Sequence, residues 1–471
     1  MSAPRTIAII GAGFSGAATA VNLLRMGGAQ PLRVVLINRS GAMARGLAYG
    51  TSSRDHVLNV PAGNMSALAD DPDDFLRYCR WADPATTPSS FVPRRLYGSY
   101  LEALLDAAEH AAPESVTLER WAGEVSAIEV APAGQSAAVR LEDGRELQAD
   151  RVVLAFGHFA PGKPAIRQPA FYADRHYVGD PWSAAALQRI DPTEPVLLIG
   201  SGLTAVDVVL SLARQRHAGP IWLMSRRGLL PKAHREQRAV LPPQEAQRLF
   251  EAMGPTARSQ LRALRRAVLE HEARGHDWRD VVAALRPFTP RLWLRLPTRE
   301  RQRFVRRLQP FWDVLRHRCA PEVHARFMAL IESGQVRLLA GRLRDCTVTE
   351  GGVELAWAPR GSAVEQTLRV GAVINCSGPD TDLGRAANPL IRQLLERGLM
   401  DADELRIGVK VDADGALIAR DGAASPVLRY VGPLLRARDW EATAVPELRI
   451  HARAMAERLL EELAEAAQAP P

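Results

Sequence analysis

The chain has 471 residues, 47% of them apolar and 24% charged, enough to bury the cores of two or three domains. No apolar run approaches the roughly 18 residues of a membrane span, so a helical membrane protein is excluded and no membrane partner is expected. The formal charge is +7 and all but three of the 60 lysines and arginines are arginine, yet no basic patch interleaved with aromatics points to nucleic acid. The chain as read enters its first strand by Thr6, which predicts no export signal. Its four cysteines are scattered without a C-x-x-C, which predicts neither a redox dithiol nor a metal site. A cytoplasmic protein is the expectation, and the oligomeric state stays open.

The first predicted unit is TIAIIGAGFSGAATAVNLL, residues 6–24. Residues 6–10 read as a buried strand, Gly11, Gly13 and Gly16 give G-x-G-x-x-G, and an apolar helix follows. The first glycine makes the turn, the second admits a pyrophosphate to the backbone, and the third lets helix and strand pack closely. The next strand, residues 32–37, ends at Asn38, where flavin folds usually carry glutamate. Asparagine can still hydrogen-bond a ribose hydroxyl; Arg39 beside it is expected to face solvent. Residues 147–164 then read as a strand ending at Gly157 and a proline-bounded turn.

EPVLLIGSGLTAVDVVLSL, residues 194–212, repeats the architecture with Gly200, Gly202 and, in the third position, Ala205. Two such loops suggest two dinucleotides held at once. The strand that follows ends in Arg226 and Arg227, where an acid would grip the 2′-hydroxyl of NAD and arginine suits a 2′-phosphate, so NADPH is expected. The chain then turns helical up to about residue 330. Trp278, Val281, Val282 and Leu285 fall at helical spacing, as do Phe304, Leu308, Phe311, Trp312 and Leu315, with Pro310 expected to break the second helix. Arg316, His317 and Arg318 end that stretch, either bracing the insert or offering cations to an anionic substrate. Residues 335–374 read as a β-meander turning at Gly351-Gly352; residues 370–383 as a strand running into Ser377-Gly378; residues 429–460 as a strand, a loop and a helix from about Pro446.

GLAYGTSSRDHVLNVPAGNMSALADDPDDFLRY, residues 46–78, resembles a bacterial family of FAD/NAD(P)-binding proteins among the two-dinucleotide-binding-domain flavoproteins. Matching pieces recur as FVPRRLYGSYL, LLIGSGLTAVD, SRRGLLPKAH, FWDVLRHRCAP, NCSGP and WEATAVPELR. The resemblance implies an α/β fold of two Rossmann-like domains, the NADPH domain inserted in the FAD domain. FAD would take residues 1–190 and 376–471, and NADPH residues 191–375 with a helical insert at about 240–330. FAD is implied at Gly11, Gly13, Phe14, Ser15, Gly16, Asn38 and Arg39, with Val125, Gly157 and Gly378. Residues 56–66 are implied beside the isoalloxazine, with Asn59, Val60, Met65 and Ser66 as neighbours and His56, Asn59, Met65 and Ser66 as candidates for the chemistry. Val445 and Pro446 would open a helix at the flavin. NADPH is implied at Gly200, Gly202, Leu203, Thr204, Arg226 and Arg227. The family includes FAD-dependent urate hydroxylase types and amino-acid N-hydroxylating types. The leading expectation is therefore a monooxygenase using NADPH and O2 through a flavin C4a-hydroperoxide, with a small anionic or zwitterionic substrate. Urate is the first candidate. An amine or amino-acid N-hydroxylase, an NADPH oxidase without oxygen insertion and a nucleotide sensor remain alternatives, and no acid–base side chain is assigned.

Overall fold

Uninterrupted runs of Val, Ile and Leu suit strands buried on both faces, and the computed structural model places two of them, residues 7–10 and Val196–Ile199, inside parallel sheets. The structure describes residues 3–132, 134–235 and 241–468. The first sheet has six strands in the order Ala416–Ile418, Ala424–Tyr430, Arg151–Leu154, Arg5–Ile10, Leu32–Asn38 and Val116–Ala122. All neighbours are parallel except the first pair. The helix Phe14–Met26 covers one face, and the last helix, Val445–Gln468, shares its core through Ala17, Val21 and Leu24 against Leu448, Ala452 and Leu459. A small antiparallel sheet of Val125–Val130, Ala137–Leu141 and Glu146–Ala149 closes the other face, with Ile128 and Val139 packed among Ile10 and Ile37.

The second sheet has seven strands in the order Gln366–Val370, Gly352–Pro359, Val336–Thr349, Ile221–Ser225, Val196–Ile199, Ala372–Asn375 and Tyr177–Val178. In sequence it lies between Leu154 and the return of the chain at Ala416. Tyr177–Val178 already belongs to it, so the chain crosses between sheets before residue 190. The expected meander is narrower than residues 335–374. The first part of Val336–Thr349 runs parallel to Ile221–Ser225, and Ala372–Asn375 runs parallel beside Val196–Ile199. Only the ladders from Gly341 to Val370 are antiparallel, turning ahead of Gly352, whose φ is +121°. The reason is that each end of this stretch is apolar and is drawn into the buried parallel sheet.

Seven α-helices between Pro243 and Glu332 make the insert among the described residues; its expected start near residue 240 lies outside them. Pro310 breaks the apolar stripe as expected, dividing it into Thr298–Arg307 and Gln309–Arg316. All four cysteines are buried and unpaired, and no described helix is long and apolar enough to cross a membrane.

Candidate functional site

The two glycine loops lie at the carboxyl ends of interior parallel strands of their sheets, where α/β folds bind ligands. Gly11 has φ +103°, and a Cβ there would stand 2.7 Å from Ala155 O. A Cβ at Gly16 would overlap Gly11 O. Gly13 differs. Its φ of −76° suits any residue, and a Cβ would meet nothing nearer than Gly46 Cα at 3.7 Å. Packing therefore demands glycine at the first and third positions and not at the second, which leaves a ligand's approach as the reason for Gly13. The second loop repeats this. Gly200 has φ +114° and abuts the Cys376 carbonyl, whereas a Cβ on Gly202 would meet no atom within 4 Å. Neither helix that follows has a side-chain cap, although Ser183, Thr256, Asp277 and Asn388 cap helices elsewhere. Uncapped amides and the helix dipole together favour an anion at both positions. The residues present thus fit two pyrophosphates.

Phe14 and Ser15 are buried in the first turn of their helix, and Leu203 and Thr204 are half-buried in theirs. Asn38 donates through Nδ2 to Ser40 Oγ at 3.1 Å and to Ala42 O, while Oδ1 takes no bond among the described residues. Arg39 is exposed. Val125 packs in the core, and Gly157 and Gly378 lie just beyond strand ends, Gly378 with φ +84°.

The loop after Val57 is pinned by backbone bonds from Leu58 N to Val92 O at 2.9 Å, from Ala62 N to Ser90 O at 2.9 Å and from Gly63 N to Pro88 O at 3.0 Å. From the second unit, His234 Nε2 donates to Asn59 O at 2.9 Å. These ties put Asn59, Val60 and Met65 on the wall of a cavity of about 240 Å³, together with Ala444 and Val445 at the start of the last helix. Arg316, His317 and Arg318 from the insert form another wall. The structure thus brings three sequence-distant candidates to one place.

Arg94, Arg235, Arg279 and Arg286 also line it, and sequence reasoning did not single them out. Their charges are largely matched: Arg94 with Asp207 at 2.8 Å, Arg279 with Asp277 at 2.9 Å, Arg286 with Glu447 through two bonds, and Arg235 with Asp280. Arg318 lies over the Trp278 ring at 5.9 Å. Arg316 Nε stands 3.1 Å from Glu441 Oε2, while its buried Nη2 has no hydrogen-bond partner among the described residues. Burial pushes the Glu441 carboxyl up, but the charges around it, Arg316 foremost, outweigh burial and hold it below its ordinary value. Burial lowers the pKa of His317, so the ring adds no charge to the cavity at neutral pH.

Residues 8–159 match a family model described as FAD-NAD(P)-binding. A protein of Mycobacterium tuberculosis, itself uncharacterized, is 24% identical over 98% of this chain and 97% of its own. Ornithine hydroxylase from Pseudomonas aeruginosa superposes with a TM-score of 0.67 at 16% identity, covering 98% of this chain and 100% of its own. L-lysine 6-monooxygenase from Pseudomonas syringae gives 0.65 at 17% identity, covering 98% and 100%. A thioredoxin reductase from Lactococcus lactis gives 0.55 at 12% identity, covering 98% and 99%. The fold is that of the two-dinucleotide-binding-domain flavoproteins.

In this fold the helix Leu203–Arg214 carries the second glycine loop at one end and docks on the first unit along one side. Asp207 meets Arg94 at 2.8 Å, Ser211 Oγ meets His56 Nε2 at 3.0 Å, and Arg214 meets Asp55 at 3.1 Å. His56 also shares a hydrogen bond with Thr51 Oγ1 at 2.7 Å. The expectation that His56 flanks the flavin is therefore corrected: its ring is spent bracing the two units. Ser66 is corrected too. It is fully buried, donates to Asp71 O at 2.6 Å, and accepts from Leu68 N at 3.2 Å, which closes a turn.

This brace has an acid–base signature. Burial and Arg94 lower His56 to about 4, so its share of stability is lost as pH falls from 6.5 toward 4. Burial raises Asp207 to about 6, against Arg94, so its share is regained as pH falls through 6. The two slopes oppose. Between pH 7 and 4.5, His56→Gln is expected to gain about 2 kcal/mol relative to wild type and Asp207→Asn to lose about as much. Urea unfolding at each pH checks this; stability curves that stay parallel to wild type would refute it.

Proposed function

We propose that this chain is an FAD- and NADPH-dependent monooxygenase that hydroxylates the amine nitrogen of a small carboxylate-bearing substrate. The observation that carries the reading is the cavity of about 240 Å³ where the residue 59–65 loop, the start of the last helix and the insert arginines meet. Its likeness in fold to the ornithine and lysine enzymes supports an amino-acid substrate over urate. When bound, FAD and NADPH supply the hydride and oxygen chemistry. FAD belongs with the first unit and NADPH with the second. Gly13 and Gly202 give each pyrophosphate access to backbone amides, and Asn38 Oδ1 accepts from a ribose hydroxyl. Arg226 and Arg227 have no carboxylate partner among the described residues, which suits a 2′-phosphate. The last helix begins at the cavity wall with Val445, where its dipole favours negative charge, and the Arg316 guanidinium on the facing wall receives the substrate carboxylate. A neutral His317 leaves room for an amine beside it.

Product formation coupled to NADPH consumption tests the reading over ornithine, lysine, aspartate, simple amines and urate. An amino-acid substrate is expected. NADPH consumed alike with every compound, all the oxygen appearing as peroxide, supports an oxidase instead. Disulfide reduction has no support, since the four cysteines are buried apart from any partner.

Arg316 gives a sharper check. Removing it alone strands Glu441, so the informative variant is Arg316→Gln with Glu441→Gln. Loss of a charge-assisted bond is expected to raise the amino-acid KM roughly ten- to a hundredfold, with FAD content and substrate-free NADPH oxidation unchanged. If all activities and the melting temperature fall together, Arg316 only braces the insert.

A further inference from the structure

Arg227 is not simply a surface arginine at a strand end. Ile221–Ser225 stops at a turn closed by Gly228 N donating to Ser225 Oγ at 3.0 Å. Arg226 then faces solvent, while Arg227 leans onto the insert. Its guanidinium lies 5.0 Å from the Phe311 ring centroid, and its Nη2 donates a long bond to Arg306 O at 3.4 Å. The reason that carbonyl is available is written in the sequence. In an unbroken helix the residue four positions on would bond Arg306 O, but that residue is Pro310, which has no N–H. The proline that divides the insert helices thus leaves an acceptor for Arg227. Phe311, the next residue, is 41% exposed, while the rest of its apolar stripe is half-buried. Its ring lines the insert's apolar cavity and also takes the Arg227 cation.

We propose that Phe311 is a positioning residue for coenzyme selectivity: with Arg306 O it holds the Arg227 fork in place for the 2′-phosphate of NADPH. This rests on the NADPH assignment above. A long side chain held on a ring and a carbonyl loses less rotamer freedom on binding than one that waves in solvent, so the held arginine binds the phosphate more tightly. The insert, which also walls the substrate cavity, thereby takes part in choosing the coenzyme.

Calorimetric titration of the FAD-loaded protein with NADP+, NAD+ and 2′,5′-ADP tests this without turnover. Phe311→Leu keeps an apolar side chain and removes the ring. It is expected to raise the Kd of NADP+ and of 2′,5′-ADP about two- to fivefold, the range of an exposed cation–π contact, and to leave NAD+ unchanged. Phe311→Trp should retain wild-type binding. In an Arg227→Ala background Phe311→Leu should have no further effect, because the ring acts through that arginine. The inference is overturned if the NADP+ to NAD+ ratio is unchanged in Phe311→Leu, if the loss persists without Arg227, or if both coenzymes weaken together with a lower melting temperature. If wild type itself binds NADP+ no better than NAD+, the NADPH assignment fails first and this inference falls with it.

Discussion

Gly13→Val is expected to yield a folded chain that never holds FAD. Position 13 has an extended backbone that valine adopts without strain, and the nearest protein atom to a Cβ there is 3.7 Å away. The side chain would instead occupy the path of the pyrophosphate. The purified variant should be colourless, release no flavin on denaturation, and keep the far-ultraviolet dichroism of the wild type. Gly202→Val should do the same for the other coenzyme: a yellow protein with full FAD content that no longer binds NADP+. Gly11→Val and Gly16→Val are the contrasting pair. At Gly11 the positive φ and the Ala155 carbonyl oppose any side chain, and at Gly16 a Cβ would overlap Gly11 O, so both should fail to fold well. Should Gly13→Val bind FAD normally, the pyrophosphate does not pass over that residue and the assignment of the first loop is wrong.

Replacing Arg226 and Arg227 together by alanine is expected to weaken NADPH by about a hundredfold or more while NADH changes little. Two charge-assisted bonds to a phosphate are each worth about 1.5–3 kcal/mol, and no acid among the described residues competes for either guanidinium. Initial rates of flavin reduction at varied coenzyme concentration separate the two cases. Equal loss for both coenzymes means the arginines only brace the insert through Arg306 and Phe311.

The glycine loops were legible in the sequence because their demands are local: a turn, a close approach and a helix start lie within a few residues. The expectation of a second nucleotide unit rested on the same local grammar. The cavity was only half legible. Asn59, Met65, Arg316 and Val445 could be named separately, but Arg94, Arg235, Arg279 and Arg286 come from segments that only the topology of the sheets brings together. A signal existed for two residues that went unread: Arg94 and His234 stand inside FVPRRLYGSYL and SRRGLLPKAH, stretches that carried the family resemblance. Loop polar residues gave the opposite error. A histidine or serine in an irregular segment looks the same whether it faces a ligand or a neighbouring helix, and pairing with residues 88–94 turned His56 toward Ser211. Likewise, residues 335–374 are strand-rich by composition, and only neighbours far along the chain decide which strands run parallel.

The docked helix Leu203–Arg214 acts as a ruler. Its twelve residues span about 18 Å, with the Gly202 loop at one end and Arg214 held by Asp55 at the other. Because Asp207, Ser211 and Arg214 key this rod to the first unit, the loop proposed to anchor NADPH is surveyed from the body proposed to carry FAD. On the proposed assignment the nicotinamide ring would find its partner by the coenzyme's own reach, across a gap set by these ion pairs and hydrogen bonds. A slip of about 1 Å in such a gauge can cost about a hundredfold in rate, while each coenzyme, still gripped by its own phosphates, binds as tightly as before.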